Sequence, residues 1–224
     1  MDPQTQVRIL PGLFCDFMPT EREIWNIIAD SWTNLRVKPE EEVINFSKEI
    51  KSGPILDVGC GNGRNSIPFL KKSLKCVELD YSKGMIGEAK KFLKRRDFNA
   101  NFVIANAINL PFKPKVFSAV IFVRALPHLE TREKRLECLK KIKRVGEKII
   151  ISCWHKWDKK IFLVVLKHFF SSNVHIDWNY HGKIYKRFHH LYTKKELEND
   201  LKEAGFKSFK IWDDKRGNMW CSKI

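Results

Sequence analysis

The nine residues Ile55-Leu56-Asp57-Val58-Gly59-Cys60-Gly61-Asn62-Gly63 constrain this chain more than any other stretch. Ile55, Leu56 and Val58 form the apolar run of a short buried strand. Pro54 stands at its first position, where a missing N–H costs least. Three glycines at alternate positions follow. Glycine tolerates φ > 0 and lets a ligand approach the backbone closely. A helix is predicted over Asn65 to Lys72, so backbone N–H groups at its start would face an anionic ligand group. Dinucleotide sites use G-x-G-x-x-G. Here the spacing is G-x-G-x-G, with Asp57 two residues before the first glycine. The plainer reading is a tight turn that only packs a helix on a strand.

The rest of the chain weighs against that plainer reading. Thr20-Glu21-Arg22-Glu23 is a capping box, opening a helix with the apolar face Ile24, Ile27, Ile28 and Trp32. Pro39 and the glutamates Glu40 to Glu42 open a second helix. Beyond the glycine turn, Lys75 to Asp80 reads as a strand, and Ser82 caps a basic helix running to about Arg96. Phe102 to Ile104 and Phe117 to Val123 are predicted strands, the second apolar almost throughout, as a parallel strand buried on both faces should be. A helix over Leu129 to Arg144 and a strand over Lys148 to Cys153 follow. This alternation predicts an α/β fold with a doubly wound, mostly parallel sheet.

Residues 154–190 break the alternation. They hold Trp154, Trp157, Trp178 and many lysines, and a stretch this long reads as a lid or binding insertion. Thr193 to Glu196 is a second capping box, and its helix stops at Gly205. Phe206 to Trp212 and Asn218 to Ser222 read as closing strands. We expect one domain over 1–224: helices over 20–52, a core over 53–153, the insertion over 154–190, and a closing unit over 191–224. Residues 1–18 read as irregular.

The chain of 224 residues carries 42 Lys+Arg against 26 Asp+Glu, a net charge of +16 that favours a polyanionic partner. Cys15, Cys60, Cys76, Cys138, Cys153 and Cys221 form no C-x-x-C and no zinc spacing, so they read as reduced thiols and no metal site is expected. The apolar run Ile161 to Leu166 is too short to span a bilayer. The start of the chain lacks the apolar core of a secretory signal. A cytoplasmic protein without a membrane partner is the expectation.

The glycine loop with Asp57 resembles motif I of the class I S-adenosylmethionine-dependent methyltransferases. Further stretches resemble the tRNA wobble-uridine carboxymethyl methyltransferases, which include the methyltransferase domain of the AlkB-type tRNA-modifying protein. These are Ile28-Ala29 with Trp32 and Arg36 to Pro39, then Leu126 to Thr131 with Arg135. Arg187-Phe188-His189-His190-Leu191-Tyr192 and Asp214 to Trp220 complete the set. The resemblance implies S-adenosylmethionine as cofactor, held by Asp57, Gly59, Cys60, Gly61, Asn62, Gly63, Asp80, Tyr81, Asn106, Ala107 and Val123. Asp80, at the carboxyl end of its strand, would accept hydrogen bonds from the ribose hydroxyls. It also implies the reaction: methyl esterification of the carboxylate of 5-carboxymethyluridine at the tRNA wobble position.

A carboxylate is already ionised near neutral pH, so this chemistry requires no general base. It requires orientation and exclusion of water. The resemblance places Arg36, His128, Arg187 and His190 in that role, since a guanidinium holds a carboxylate by two parallel bonds. Arg124 is an addition at the end of the fourth strand, where the family has a small or apolar residue. Of His189 and His190, one is expected to pack. Basic residues from Arg132 to Arg144, with Lys183, Lys186 and Arg187, would track phosphates of the tRNA anticodon loop, and aromatics of the insertion would stack a base. Relatives work with a small zinc-binding activator subunit, whose place would be the edge Phe102 to Ile104.

The sequence departs from the family pattern at Asn106, usually aspartate, and at Ser118, Pro127 and Val145 to Glu147. Two other readings stand beside the first: a methyltransferase for a small carboxylate or phenolic metabolite, and a non-catalytic cofactor-binding RNA module.

Overall fold

A computed structural model describes residues 19–159 and 161–223. The irregular segment expected over 1–18, with Cys15, lies outside them. The strand before the glycine turn is β1 (Ile55–Val58), buried at every position. It lies between β2 (Cys76–Asp80) and β4 (Phe117–Val123), parallel to both. β3 (Asn101–Ile104) pairs parallel with β2, and β5 (Gly146–Trp154) with β4. The last two strands reverse: β9 (Asn218–Lys223) runs antiparallel to β5, and β8 (Lys210–Asp213) antiparallel to β9. The order β3-β2-β1-β4-β5-β9-β8 is the doubly wound, mostly parallel sheet that the alternation predicts. Its order switches direction between β1 and β4, the place where open α/β sheets bind ligands.

Both faces of the sheet are covered. Leu56, Val58, Val120 and Phe122 face α6 (Arg132–Val145) and α8 (Lys194–Glu203) through Leu139, Ile142, Leu197 and Leu201. Ile55, Ala119 and Ile121 face α3 (Glu41–Lys48) through Val43 and Phe46. The two sets alternate along each strand because successive side chains point to opposite faces. Each fully buried leucine, isoleucine or phenylalanine contributes about 1.5–3 kcal/mol.

The caps hold as read at two helices. Thr20 opens α1 (Glu21–Ile27) with a reciprocal box, Thr20 N donating to Glu23 Oε2 at 2.8 Å. Ser82 accepts from Met85 N at the start of α5 (Lys83–Lys94). The helix expected from Leu129 begins later, at Arg132, where Thr131 accepts from Lys134 N and caps α6. At α8, Thr193 accepts from Glu196 N at 3.2 Å, but the Glu196 carboxylate turns to His190, so the box predicted there is half made. The continuous helix predicted from Asn65 to Lys72 is instead a 3-10 turn, Arg64–Ser66, followed by α4 (Ile67–Leu70). Pro68 has no N–H to give the Arg64 carbonyl, which breaks the α ladder at that point.

The first helix also divides, at Ile28, with α2 (Ala29–Asn34) continuing it. The insertion holds α7 (Phe162–Lys167) and a two-stranded hairpin, β6 (Asn173–Tyr180) and β7 (Lys183–His190). Its turn is His181-Gly182, both at positive φ, as a two-residue hairpin turn with the right-handed strand twist requires. The hairpin is fastened to the N-terminal helices. Trp178 Nε1 donates to Ser31 Oγ at 3.0 Å, Tyr180 OH donates to Asp30 Oδ2 at 2.8 Å, and Phe188 N donates to Glu21 Oε1. No helix among the described residues is long and apolar enough to cross a membrane.

Candidate active site

A cavity of about 390 Å³ opens at the carboxyl ends of β1, β2 and β4, roofed by α1, α2 and the hairpin. Its floor is the glycine loop. Gly61 sits at φ = 57°, and a Cβ there would lie 2.8 Å from the Trp32 ring, so both backbone and space demand glycine. Asp80, at the end of β2, straps the loop: its Oδ2 accepts from Gly61 N at 3.0 Å and its Oδ1 from Ser82 N at 2.8 Å. Burial raises the Asp80 carboxyl to about 6, against these two hydrogen bonds. Each oxygen keeps a further lone pair, so a vicinal diol would add the donors that favour the ionised form. Asn106 and Ala107 line the same wall, Asn106 Oδ1 accepting from Ile108 N at 3.1 Å. A carboxylate placed for a ribose and an amide oxygen with a spare lone pair fit S-adenosylmethionine.

Of the residues expected to hold the cofactor, Gly59, Cys60, Gly61, Asp80, Tyr81, Asn106, Ala107 and Val123 line the cavity. Asp57, Asn62 and Gly63 lie behind it. Asn62 Nδ2 donates to the Arg36 carbonyl at 2.7 Å and so joins the loop to the end of α2. Asp57 is buried within the sheet and held well above the usual carboxylate range by that burial and by the neighbouring Glu78. Glu78 is pushed up to about 8, again chiefly by burial. Asp57 Oδ2 and both Glu78 oxygens have no hydrogen-bond partner among the described residues.

Arg36, Arg124, His128 and Arg187 meet at the other end of the cavity. The Arg36 guanidinium lies 4.8 Å from the centroid of the Trp32 ring and 5.6 Å from that of Trp178. Arg187 lies 4.7 Å from Trp178 and 5.4 Å from Trp25. Neither arginine forms an ion pair among the described residues, and Arg187 Nε is buried without a partner. Burial lowers both to about 10, for Arg36 with help from Arg124 and Arg187, so both stay charged near neutral pH.

Arg124 is different. It sits at φ = 56° and pairs with Glu40, whose carboxylate also accepts from Arg64 at 2.7 Å and Arg216 at 3.2 Å. Burial raises the Glu40 carboxyl, but Arg124 and Arg64 together hold it below the usual range. Arg124 is thus part of a wall already neutralised in part, and Glu40 serves no helix cap.

His190 does not line the cavity. Its ring nitrogens lie 2.7 Å from Asn173 Oδ1 and 2.6 Å from Glu196 Oε1. Alternation along β7 puts Arg187 and His189 on one face and Phe188 and His190 on the other. The cavity histidine beside His128 is therefore His189, stacked on Trp154 at 4.7 Å. The reading from sequence missed Trp25, Arg64 and Glu40, and of the pair His189 and His190 it set the wrong one, His190, at the site. For Trp25 the capping box at Thr20 was the available signal, since it puts the residue in the first turns of the roof helix.

The run of cations on α6 is partly structural. Arg132 pairs with Asp200 and Glu203, Arg135 is buried and donates to the Leu129 carbonyl, and Arg144 donates to the Leu110 carbonyl. Lys183 and Lys186 of the hairpin remain exposed. The Asp214 to Trp220 segment closes the β8–β9 turn, with Asp214 Oδ2 accepting from Asn218 Nδ2 at 2.8 Å and Trp220 Nε1 at 2.9 Å.

A protein family described as a methyltransferase domain matches residues 55–148. A tRNA (carboxymethyluridine(34)-5-O)-methyltransferase of Saccharomyces cerevisiae is 32% identical over 138 residues, 59% of this chain and 47% of that protein. The chain thus spans less than half the length of that relative. A protein of Encephalitozoon cuniculi named as a methyltransferase is 30% identical over 163 residues, 68% of this chain and 70% of its own length. Among solved structures, a SAM-dependent methyltransferase of Methanosarcina mazei superposes with a TM-score of 0.66 at 18% identity, covering 84% of this chain and 99% of that one. The glycine loop, the carboxylate at the end of β2 and these likenesses lead to one conclusion: the chain belongs to the class I S-adenosylmethionine-dependent methyltransferases.

Proposed function

We propose that the chain methylates the carboxylate of 5-carboxymethyluridine at the wobble position of tRNA, giving a methyl ester. The observation that carries this reading is the pair Arg36 and Arg187, two guanidiniums without ion-pair partners among the described residues, both lining the cavity and both close to the Trp178 ring. Two guanidiniums opposed only by the longer-range charges of Glu40 and Glu21 favour an anionic substrate group. S-adenosylmethionine supplies the activated methyl group. The protein's own residues orient and dehydrate the nucleophile. The carboxylate is ionised already, so no residue has to take a proton. The tryptophan faces hold the guanidiniums without supplying a competing anion, and this limits overbinding of the ground state.

The exposed Lys183 and Lys186 on β7 would meet RNA phosphates at the cavity mouth, and the name of the yeast relative supports tRNA as the carrier of the carboxylate. A small zinc-binding activator belongs to the same reading. Its place would be β3, an outer strand of the sheet with Ile104 exposed.

The test is transfer of labelled methyl from S-adenosylmethionine to bulk tRNA, with and without the activator, followed by mild base. Base-labile label in wobble uridine is expected, and Arg36→Ala and Arg187→Ala should each reduce it about a hundredfold. Base-stable label in RNA would mean another RNA methylation. Label only in a small carboxylic acid would make the chain a metabolite methyltransferase.

A further inference from the structure

We infer that His128 reads a hydrogen-bond donor on the substrate base, the N3–H of the uracil ring, and does not hold the carboxylate. This rests on the wobble-uridine reading above. His128 Nδ1 lies 2.9 Å from the Phe188 carbonyl oxygen. A carbonyl oxygen only accepts, so Nδ1 carries the hydrogen. Burial, with the charge of Arg187 nearby, moves the ring down to about 4, and the imidazole is neutral near pH 7. Nε2 is then a bare lone pair. It has no partner among the described residues, and the ring is part of the cavity wall.

The ring cannot turn to offer its N–H instead. Trp25 meets it edge-on at 4.8 Å between centroids and His189 at 4.3 Å, and His189 is itself stacked on Trp154. A flipped ring would leave the Phe188 carbonyl facing only the Cδ2–H, and the other tautomer would leave it facing the bare Nδ1 lone pair. A carboxylate has no hydrogen to give and would be repelled at Nε2. A group with an N–H or O–H is attracted.

The neighbours of His128 order the wall. Arg187 and His128 both pack against the Trp25 ring and both line the cavity, so a cation and an acceptor share one part of its wall. Around a 5-carboxymethyluracil ring the anionic arm, the C4 carbonyl and the N3–H follow one another. The arm and carbonyl suit guanidinium donors, and the N3–H suits Nε2. A cytosine with the same arm has nearly the same shape but bears a bare N3 and a C4 amino group. It would meet His128 lone pair to lone pair and Arg187 donor to donor. Sites built to bond a substrate N–H reject analogues that lack it far more strongly than apolar pockets reject a missing methylene.

The experiment uses the full chain with anticodon stem-loops carrying 5-carboxymethyluridine or 5-carboxymethylcytidine. Methyl transfer is measured, and so is binding in the presence of S-adenosylhomocysteine, which reads recognition without turnover. The uridine loop should exceed the cytidine loop about a hundredfold or more in kcat/KM, and it should bind more tightly. His128→Gln, whose amide can present either an oxygen or an NH2 group, should lose activity on uridine and bring the two substrates within about tenfold. Cofactor binding by the variant reports that it is folded, and the comparison of two substrates on the unaltered protein does not depend on the variant at all. Equal use of both loops by the unaltered protein would overturn the inference while leaving the carboxylate reading intact. If the uridine loop is neither bound nor methylated, the wobble-uridine reading falls and this inference falls with it.

Discussion

The Trp178 ring meets two guanidiniums, Arg187 on its own hairpin at 4.7 Å from its centroid and Arg36 beyond the end of α2 at 5.6 Å. Trp178 pairs with Tyr185 and Ile176 pairs with Arg187, so Trp178 and Arg187 share one face of the hairpin. The Trp178 indole N–H is tied to Ser31. One side chain thus positions both cations of the substrate end of the site.

Trp178→Ala removes both cation–π contacts and the Ser31 bond. We expect kcat/KM for methyl transfer to fall by about 10- to 100-fold while cofactor affinity stays within about twofold. Unchanged transfer would show that the arginines hold their places without the ring.

Glu40 holds Arg64, Arg124 and Arg216 and is itself buried. Removing one partner of a buried ionic network leaves the others uncompensated. Glu40→Ala should cost about 3 kcal/mol, lowering Tm by about 10 °C, and Glu40→Gln should cost less because the amide oxygen still accepts. Thermal unfolding measures both, and equal losses would make packing rather than charge the cause.

Asp80 titrates near 6, raised by burial. Only the ionised carboxylate can accept from both hydroxyls of a ribose. Affinity for S-adenosylmethionine should therefore be constant above about pH 7 and fall about tenfold by pH 5 as the proton goes on. Titration calorimetry across that range is the check. Asp80→Asn should bind weakly and without pH dependence.

Burial raises Glu78 to about 8 and lifts Asp57 in the same direction. For an acid whose folded pKa lies above its ordinary value, the contribution is full below the ordinary value and is lost as pH rises through the folded one. The protein should lose stability between about pH 5 and pH 8. Glu78→Gln should flatten that slope and raise Tm at pH 8.5 by about 5 °C, roughly 1–2 kcal/mol. A steeper slope in the variant would place the proton elsewhere.

What the sequence determined by itself is what neighbours along the chain decide. The strand Ile55–Val58, the glycine turn, two of the predicted helix caps and the alternation behind the parallel sheet depend on sterics and periodicity within a few residues. The cofactor edge, with Asp80 at the end of β2, followed from that register. The insertion was visible only as an interruption. Its hairpin turn, His181-Gly182, lacks the usual asparagine or aspartate signal.

The tertiary structure decided the substrate end. The choice between His189 and His190 turns on the facing of one strand, since a shift of one residue reverses every side chain. The role of Arg124 depends on Glu40, 84 residues away, and the state of His128 on a carbonyl 60 residues away. Hydrogen-bond polarity and burial belong to the folded neighbourhood, and no spacing in the chain encodes them.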